Sequence, residues 1–81
     1  MTEQQVQQYI EAGLDCAYIK VEGDGHHFYA TVVSAAFEGK RLIDRHRMVK
    51  EVIASRLASN EIHALSIVKA ATPDEWAKLQ G

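Results

Sequence analysis

Cysteine is nearly absent from this sequence, with Cys16 alone among 81 residues. One thiol excludes an internal disulfide and an all-cysteine metal cage within the chain, and it favours a reducing, cytoplasmic setting. Proline occurs once, which excludes a proline-rich linker. No apolar run approaches the roughly 18 residues of a membrane span, and the polar residues 1–8 lack the pattern of an export signal. We therefore expect a cytoplasmic protein that is neither exported nor inserted in a membrane.

The chain also has little length and little net charge. Its 81 residues, of which 47% are hydrophobic, suffice for one core, so we expect a single domain over 1–81 without a deep substrate cavity. The net charge of −2 argues against general polyanion binding. The charge is uneven, however, because residues 40–56 hold six of the nine basic side chains and only two of the eleven acidic ones. A basic surface on this segment is therefore compatible with an acidic average.

The first half of the chain predicts a helix followed by a hairpin. Thr2 and Gln5 have capping-box spacing, and helical periodicity continues to Gly13. Alternating apolar and polar residues that begin at Ala17 and at Phe28 then predict two strands joined by a glycine-containing turn.

The second half predicts a long helix, a strand and a short helix. The longest helical pattern covers 41–59, and aliphatic residues over 62–69 predict the third strand. Thr72 and Pro73 then form a helix start, and Trp76 is the expected packing anchor of that helix. The order α-β-β-α-β-α predicts an α+β fold with a three-stranded mixed sheet and helices packed on it.

Histidines occur where two of the predicted strands begin. His26 and His27 precede the second strand and His63 lies in the start of the third. A β-α-β crossover makes these strands parallel, so the histidines gather at one rim if the strands are neighbours at about 4.8 Å. Such a rim is an incomplete metal site even with Asp24, since structural zinc needs four protein ligands. Either a partner completes the coordination, or these are structural or exposed histidines that bind no metal.

The long helix carries one histidine on its apolar stripe. Leu42, His46, Val49, Ile53 and Leu57 follow one another at intervals of three or four residues. We interpret His46 as a packed structural histidine rather than a ligand.

The basic side chains of the same helix have two interpretations. Two of them flank the apolar stripe and two point away from it, so they either contact phosphates or solvate the helix and pair with Asp44 and Glu51. These four residues are Arg41, Arg45, Arg47 and Lys50.

Catalytic signatures are missing. The sequence has no Walker loop, dinucleotide fingerprint, nucleophile elbow or paired-carboxylate motif. No local motif supplies a base that would activate Cys16. We therefore expect a protein that is not an enzyme.

Four segments in fixed order carry a family resemblance. They are Phe37-Glu38-Gly39-Lys40, Arg45-His46-Arg47-Met48-Val49, Ile62-His63-Ala64-Leu65-Ser66-Ile67 and Thr72-Pro73-Asp74-Glu75-Trp76. Together they resemble the BolA family over nearly the whole chain, and the loop at 23–28 is most similar to that of its bacterial IbaG branch. The resemblance implies a BolA-like domain whose fold is similar to class II KH domains.

The resemblance also implies a partner and a cofactor. Members of this family pair with monothiol glutaredoxins and share a [2Fe-2S] cluster, to which the partner contributes a cysteine and a glutathione thiol. In this chain the histidine of the His-Ala-Leu motif is His63, and the second ligand is His27 or His26, of which we favour His27. The isolated chain is then expected to carry no cluster and to be a monomer or weak homodimer.

Family members are also linked to DNA binding, transcription regulation and stress. By analogy with KH domains, Arg41, Arg45, Arg47 and Lys50 would contact the nucleic acid. The sequence lacks a Gly-x-x-Gly loop, and its net charge is acidic. DNA binding is therefore the second hypothesis.

Overall fold

A computed structural model describes residues 2–24, 26–56 and 64–80 of the chain. The strands pair in the order β1-β2-β3, antiparallel between β1 and β2 and parallel between β2 and β3, which confirms the predicted α+β class. None of the helices in these ranges is long and apolar enough to cross a membrane. The elements are α1 (Glu3–Gly13), β1 (Tyr18–Gly23), β2 (Phe28–Val33), a 3-10 turn (Ala35–Phe37), α2 (Leu42–Ala54), β3 (Leu65–Ala71) and α3 (Pro73–Gln80).

Two elements differ from their predicted limits. Helix α2 ends at Ala54 instead of continuing to residue 59. Strand β3 reaches Ala71, two residues beyond the predicted end, because Ala70 and Ala71 pair with the last two residues of β2. Alanine is a weak strand signal in sequence, so only the pairing reveals this extension. The predicted start of β3 at Ile62, like Leu57 and His63, lies outside the described residues.

The core lies between one face of the sheet and helices α1 and α2. Phe28, Ala30 and Val32 alternate into it from the central strand β2 and are almost fully buried. The helices contribute Val6 and Ile10 from α1, and Val49 and Ile53 from α2. Each large aliphatic side chain buried in this way stabilises the fold by about 1.5–3 kcal/mol.

The buried stripe of α2 begins differently from its prediction. Leu42 is exposed, His46 is half-buried, and Arg45 is the first buried residue of the helix. The prediction that Leu42 leads the buried stripe is therefore wrong. The reason is that the Arg45 side chain turns inward to reach polar partners on β3 and α3.

Capping interactions define both terminal helices as the sequence predicts. Thr2 and Gln5 form a reciprocal capping box at the start of α1. At the start of α3, the Thr72 hydroxyl accepts a hydrogen bond from the Glu75 N–H at 3.2 Å. The ring of Trp76 stacks on Tyr18 with centroids 5.1 Å apart, which confirms its role as a packing anchor.

Helices α1 and α2 approach most closely at Gly13. A Cβ atom at this position would lie 2.5 Å from Cγ1 of Val52. Alanine normally stabilises a helix relative to glycine by up to about 1 kcal/mol, but here we expect Gly13→Ala to lower the free energy of unfolding by about 1–2 kcal/mol through overpacking. Urea titration measures this change.

The second residue of the contact supplies the control. Val52→Ala removes the methyl groups that a new Cβ would meet. The Gly13→Ala/Val52→Ala double variant is expected to lose less stability than the sum of the two single variants. Additive losses would show that the two side chains do not meet.

Candidate functional site

The starting ends of β2 and β3 lie side by side. Phe28 pairs with Leu65 in the parallel register, and its N–H donates to the Ala64 carbonyl at 2.8 Å. The predicted neighbour relation of these strands is therefore confirmed. His63 precedes Ala64 in the chain but lies outside the described residues, so its place at the rim stays a prediction.

Asp24 organises the loop that leads into β2. Its Oδ1 atom accepts hydrogen bonds from the backbone N–H groups of His26 at 2.9 Å and His27 at 2.8 Å. Its Oδ2 atom accepts a longer one from the Tyr29 hydroxyl at 3.4 Å. The two backbone bonds hold the pKa of the Asp24 carboxyl below its ordinary value, so the loop is built around a charged carboxylate.

His27 is the loop histidine whose ring faces that carboxylate. Its Nδ1 atom lies 3.9 Å from Oδ2 of Asp24, and its side chain is 59% exposed. A carboxylate beside Nδ1 favours a proton on that nitrogen and leaves Nε2 as the donor toward an external ligand. Histidine with a carboxylate behind it is a common arrangement in metal sites, and imidazole is a suitable ligand for iron.

The rim is not a self-contained metal site in the part of the chain that the structure describes. Within residues 2–24, 26–56 and 64–80, no three His, Cys, Asp or Glu side chains cluster in a way that could hold a metal ion. His26 and His27 are both exposed beside Asp24. The donors described here fit a site that further ligands complete.

The sequence did not reveal the organising role of Asp24. It appears there only as a further candidate ligand, whereas the structure has its carboxylate accepting backbone hydrogen bonds. The signal that indicates this role is an aspartate two and three residues before the N–H groups it accepts, which is the spacing of an Asx turn.

Arg45 is not a surface residue. Its side chain is only 9% exposed, Nε donates to the Lys40 carbonyl at 2.9 Å, and Nη1 donates to the Ala70 carbonyl at 3.0 Å. The same Nη1 atom donates to Oε1 of Glu75 at 2.6 Å. The prediction that Arg45 flanks the buried stripe and contacts phosphates is therefore wrong, since its guanidinium joins α2 to β3 and α3.

The remaining basic candidates lie toward solvent on α2. Arg41 is 84% exposed, and its Nε lies 3.5 Å from Oδ2 of Asp44. Arg47 is 64% exposed, and its Nη1 lies 3.9 Å from the other oxygen of the same carboxylate. Lys50 is half-buried on the helix. The predicted pairing with Asp44 is therefore present for two of the four basic residues.

Cys16 has the environment of an unreactive thiol. Burial is the main cause that raises its pKa to about 11, with Glu11 and Asp15 adding to the effect. Its Sγ donates to the Leu14 carbonyl at 3.3 Å. A thiol with this pKa is almost fully protonated at neutral pH and is a poor nucleophile.

Known proteins share this arrangement of sequence and fold. Residues 6–75 match the family model described as BolA-like protein. The chain belongs to the BolA family. A solved BolA homologue from Coxiella burnetii superposes with a TM-score of 0.78 and 42% identity, over 95% of this chain and 97% of that one.

Two curated members of the BolA family are close in sequence. The acid stress protein IbaG of Escherichia coli (strain K12) is 35% identical over 78 residues, which cover 96% of this chain and 92% of IbaG. The DNA-binding transcriptional regulator BolA of Vibrio cholerae is 46% identical over 57 residues, which cover 70% of this chain and 52% of that protein.

The ion pair of Glu75 predicts an acid-dependent stability. The hydrogen bond from Arg45 is the main cause that lowers the Glu75 pKa from 4.5 to about 2. Because the native pKa lies below the unfolded one, this contribution is complete above pH 4.5 and is lost as the pH falls toward about 2. We expect Glu75→Gln to unfold at lower urea concentration at neutral pH and to show a flatter pH dependence across this range.

Urea titrations of both proteins between neutral pH and pH 2 test this expectation. Asp74→Asn serves as the control for loss of a carboxyl from the same helical turn. Parallel pH profiles of the parent and Glu75→Gln would contradict the assignment.

Proposed function

We propose that this BolA-family protein is a non-enzymatic iron-sulfur adaptor. It pairs with a monothiol glutaredoxin and ligates a shared [2Fe-2S] cluster through His63 and His27, for cluster trafficking or for regulation by iron and stress. The observation that carries the proposal is the Asp24-centred loop, which presents the His27 imidazole beside the paired starts of β2 and β3.

The backbone around the rim supports the pairing of these two ligands. The N–H of Phe28, which follows His27, donates to the carbonyl of Ala64, which follows His63. Two residues that precede bonded positions on adjacent parallel strands start from neighbouring points of the backbone. This bond supports the choice of His27 and His63 as a pair.

The carboxylate distinguishes His27 from His26. Only His27 forms a side-chain contact with Asp24 among the described ion pairs, with Nδ1 toward the carboxylate. His27 therefore offers Nε2 outward, with its ring orientation and tautomer biased by Asp24. His26 is the alternative ligand if the loop rearranges on binding.

Two imidazoles leave room for two ligands from outside the chain. A cysteine of the glutaredoxin and the thiol of glutathione complete a set of four. Mixed histidine and cysteine ligation raises the potential of a [2Fe-2S] cluster relative to ligation by cysteine alone. Such a shared cluster is cargo, so the isolated chain needs none.

The proposal predicts which histidine variants lose the shared cluster. Anaerobic reconstitution with a monothiol glutaredoxin, glutathione, iron and sulfide is followed by visible circular dichroism. We expect His63→Ala and His27→Ala to give only the spectrum of the glutaredoxin without this protein, because each removes one of the two imidazole ligands. His26→Ala is expected to retain most of the mixed spectrum.

His46→Ala is the matched control, because His46 lies on α2 and outside the rim. Far-UV circular dichroism checks that each variant is folded. A mixed spectrum that survives in folded His63→Ala would defeat the adaptor assignment.

A second candidate function is DNA-binding regulation through the outer surface of α2. Its support is the exposure of Arg41 and Arg47, together with the relative from Vibrio cholerae that is named as a DNA-binding transcriptional regulator. Arg45 contributes nothing to this surface because its guanidinium is buried against Glu75.

This second function predicts a change in salt dependence. Arg47→Glu/Lys50→Glu should weaken binding to duplex DNA and lower the slope of log affinity against log salt by about 2, since each lost phosphate contact contributes about 0.9. Fluorescence anisotropy over a salt series measures the slope, with Lys20→Glu as a control on β1. An unchanged slope would exclude α2 as the contact.

A further inference from the structure

An open groove of about 660 Å³ lies between α2, β3 and α3. One large apolar side chain from each element lines it, and all three are mostly exposed: Leu42 at 63%, Val68 at 61% and Leu79 at 58%. Single exposed apolar side chains are ordinary, but several that line one concave surface mark a place where a ligand or partner binds.

A bulge in β3 accounts for the exposure of Val68. The register of β2 and β3 shifts between Ala30 and Thr31, where Ile67 pairs with the first and Lys69 with the second. Val68 is therefore the extra residue of the strand. Bulges re-aim side chains out of the regular alternation, and this one places a valine in the groove instead of the core.

Positive charge surrounds the apolar lining. Lys40, Lys69 and Lys78 all line the groove. Within the part of the chain that the structure describes, these lysines take no part in an ion pair. Arg45 and Glu75 also line the groove, but their charges compensate each other at 2.6 Å. The groove is thus positive on a chain whose net charge is −2.

The groove is preformed rather than loosely built. The Arg45 guanidinium ties its floor together through the carbonyls of Lys40 and Ala70 and the carboxylate of Glu75. Glu75 also accepts a hydrogen bond from the Thr72 N–H at 2.9 Å. A rigid surface loses little conformational entropy when it binds, which favours a specific occupant.

We infer that this groove docks an acidic segment of a partner polypeptide that places aliphatic side chains against Leu42, Val68 and Leu79 and carboxylates near the lysines. Aliphatic lining selects for aliphatic side chains, and the three lysines select for carboxylates over ammonium groups. Nucleic acid fits less well, since grooves for single strands stack bases on aromatic rings and none of the described residues that line this groove is aromatic.

The groove and the histidine rim lie at opposite ends of β3. The rim is at Leu65, which pairs with Phe28, whereas the groove involves the strand from Val68 to Ala71. At about 3.3 Å per residue, Leu65 and Ala70 are separated by roughly 16 Å. An acidic segment in the groove therefore binds apart from any partner at the rim, and the inference holds whether or not the chain ligates a cluster.

Selection from a random dodecapeptide phage library on the immobilised full chain tests the inference. We expect an enriched consensus of Asp or Glu with Leu, Ile or Val. A labelled consensus peptide should bind Lys69→Glu/Lys78→Glu at least ten-fold more weakly than the parent by fluorescence anisotropy. The matched control is Lys20→Glu/Lys50→Glu, which reverses two lysines that do not line the groove and should bind within two-fold of the parent.

The apolar part of the groove has its own variant. Val68→Thr/Leu79→Gln keeps the charges and changes two exposed side chains, and it should weaken the same peptide about five-fold. Backbone amide shifts on peptide addition should concentrate in 40–46, 68–71 and 78–79. Far-UV circular dichroism confirms that each variant is folded.

Four outcomes would overturn the inference. They are the absence of any consensus, a basic or aromatic consensus, equal binding by the groove and control variants, and displacement of the peptide by a 12-nucleotide oligothymidine that binds the groove more tightly. Self-association of the chain through the same residues, detected by sedimentation, would also overturn it, because the occupant would then be a second copy.

Discussion

The buried guanidinium of Arg45 is the interaction on which the arrangement of α2, β3 and α3 depends. A cation in this position is tolerated only because each direction it faces offers an acceptor: the carbonyls of Lys40 and Ala70 and the carboxylate of Glu75. Its Cζ atom also lies 5.9 Å from the centre of the Phe37 ring. Removing one partner of such a group leaves charge without compensation in a low-dielectric place. The same side chain thus holds three elements in register and forms the floor of the groove between them.

The two ends of the β2-β3 pair have different physical characters. At the starting end, a charged aspartate accepts backbone N–H groups and leaves imidazoles exposed, which is a surface for coordination. At the other end, the charges of the floor are compensated and the lining is aliphatic with lysines around it, which is a surface for recognition of a polypeptide. A small α+β domain has room for both because its single sheet separates them.

Most of the fold could be predicted from the sequence, because it follows from local signals. The capping boxes at Thr2 and Thr72 and the alternation along β2 depend on neighbouring residues alone, and the structure has them. Arg45 and Val68 could not be placed in this way. Periodicity assigns an arginine to the surface, and only the partners on β3 and α3, up to 30 residues away, make its burial favourable. The position of Val68 depends on a register shift between two strands, which no single segment encodes. For the rim, sequence located the histidines, while the contact of Asp24 with His27 required the conformation of the loop.

The bulge at Val68 has a consequence for how molecules of this protein meet one another. β3 is at the edge of the sheet, and an edge strand with regular spacing is a template on which another chain adds by backbone hydrogen bonding. The extra residue breaks that spacing in the middle of a seven-residue strand, and the Ala70 carbonyl is already bonded to Arg45. A foreign strand would find no continuous ladder along this edge. The irregularity therefore protects a concentrated solution of the folded protein against growth of the sheet from molecule to molecule.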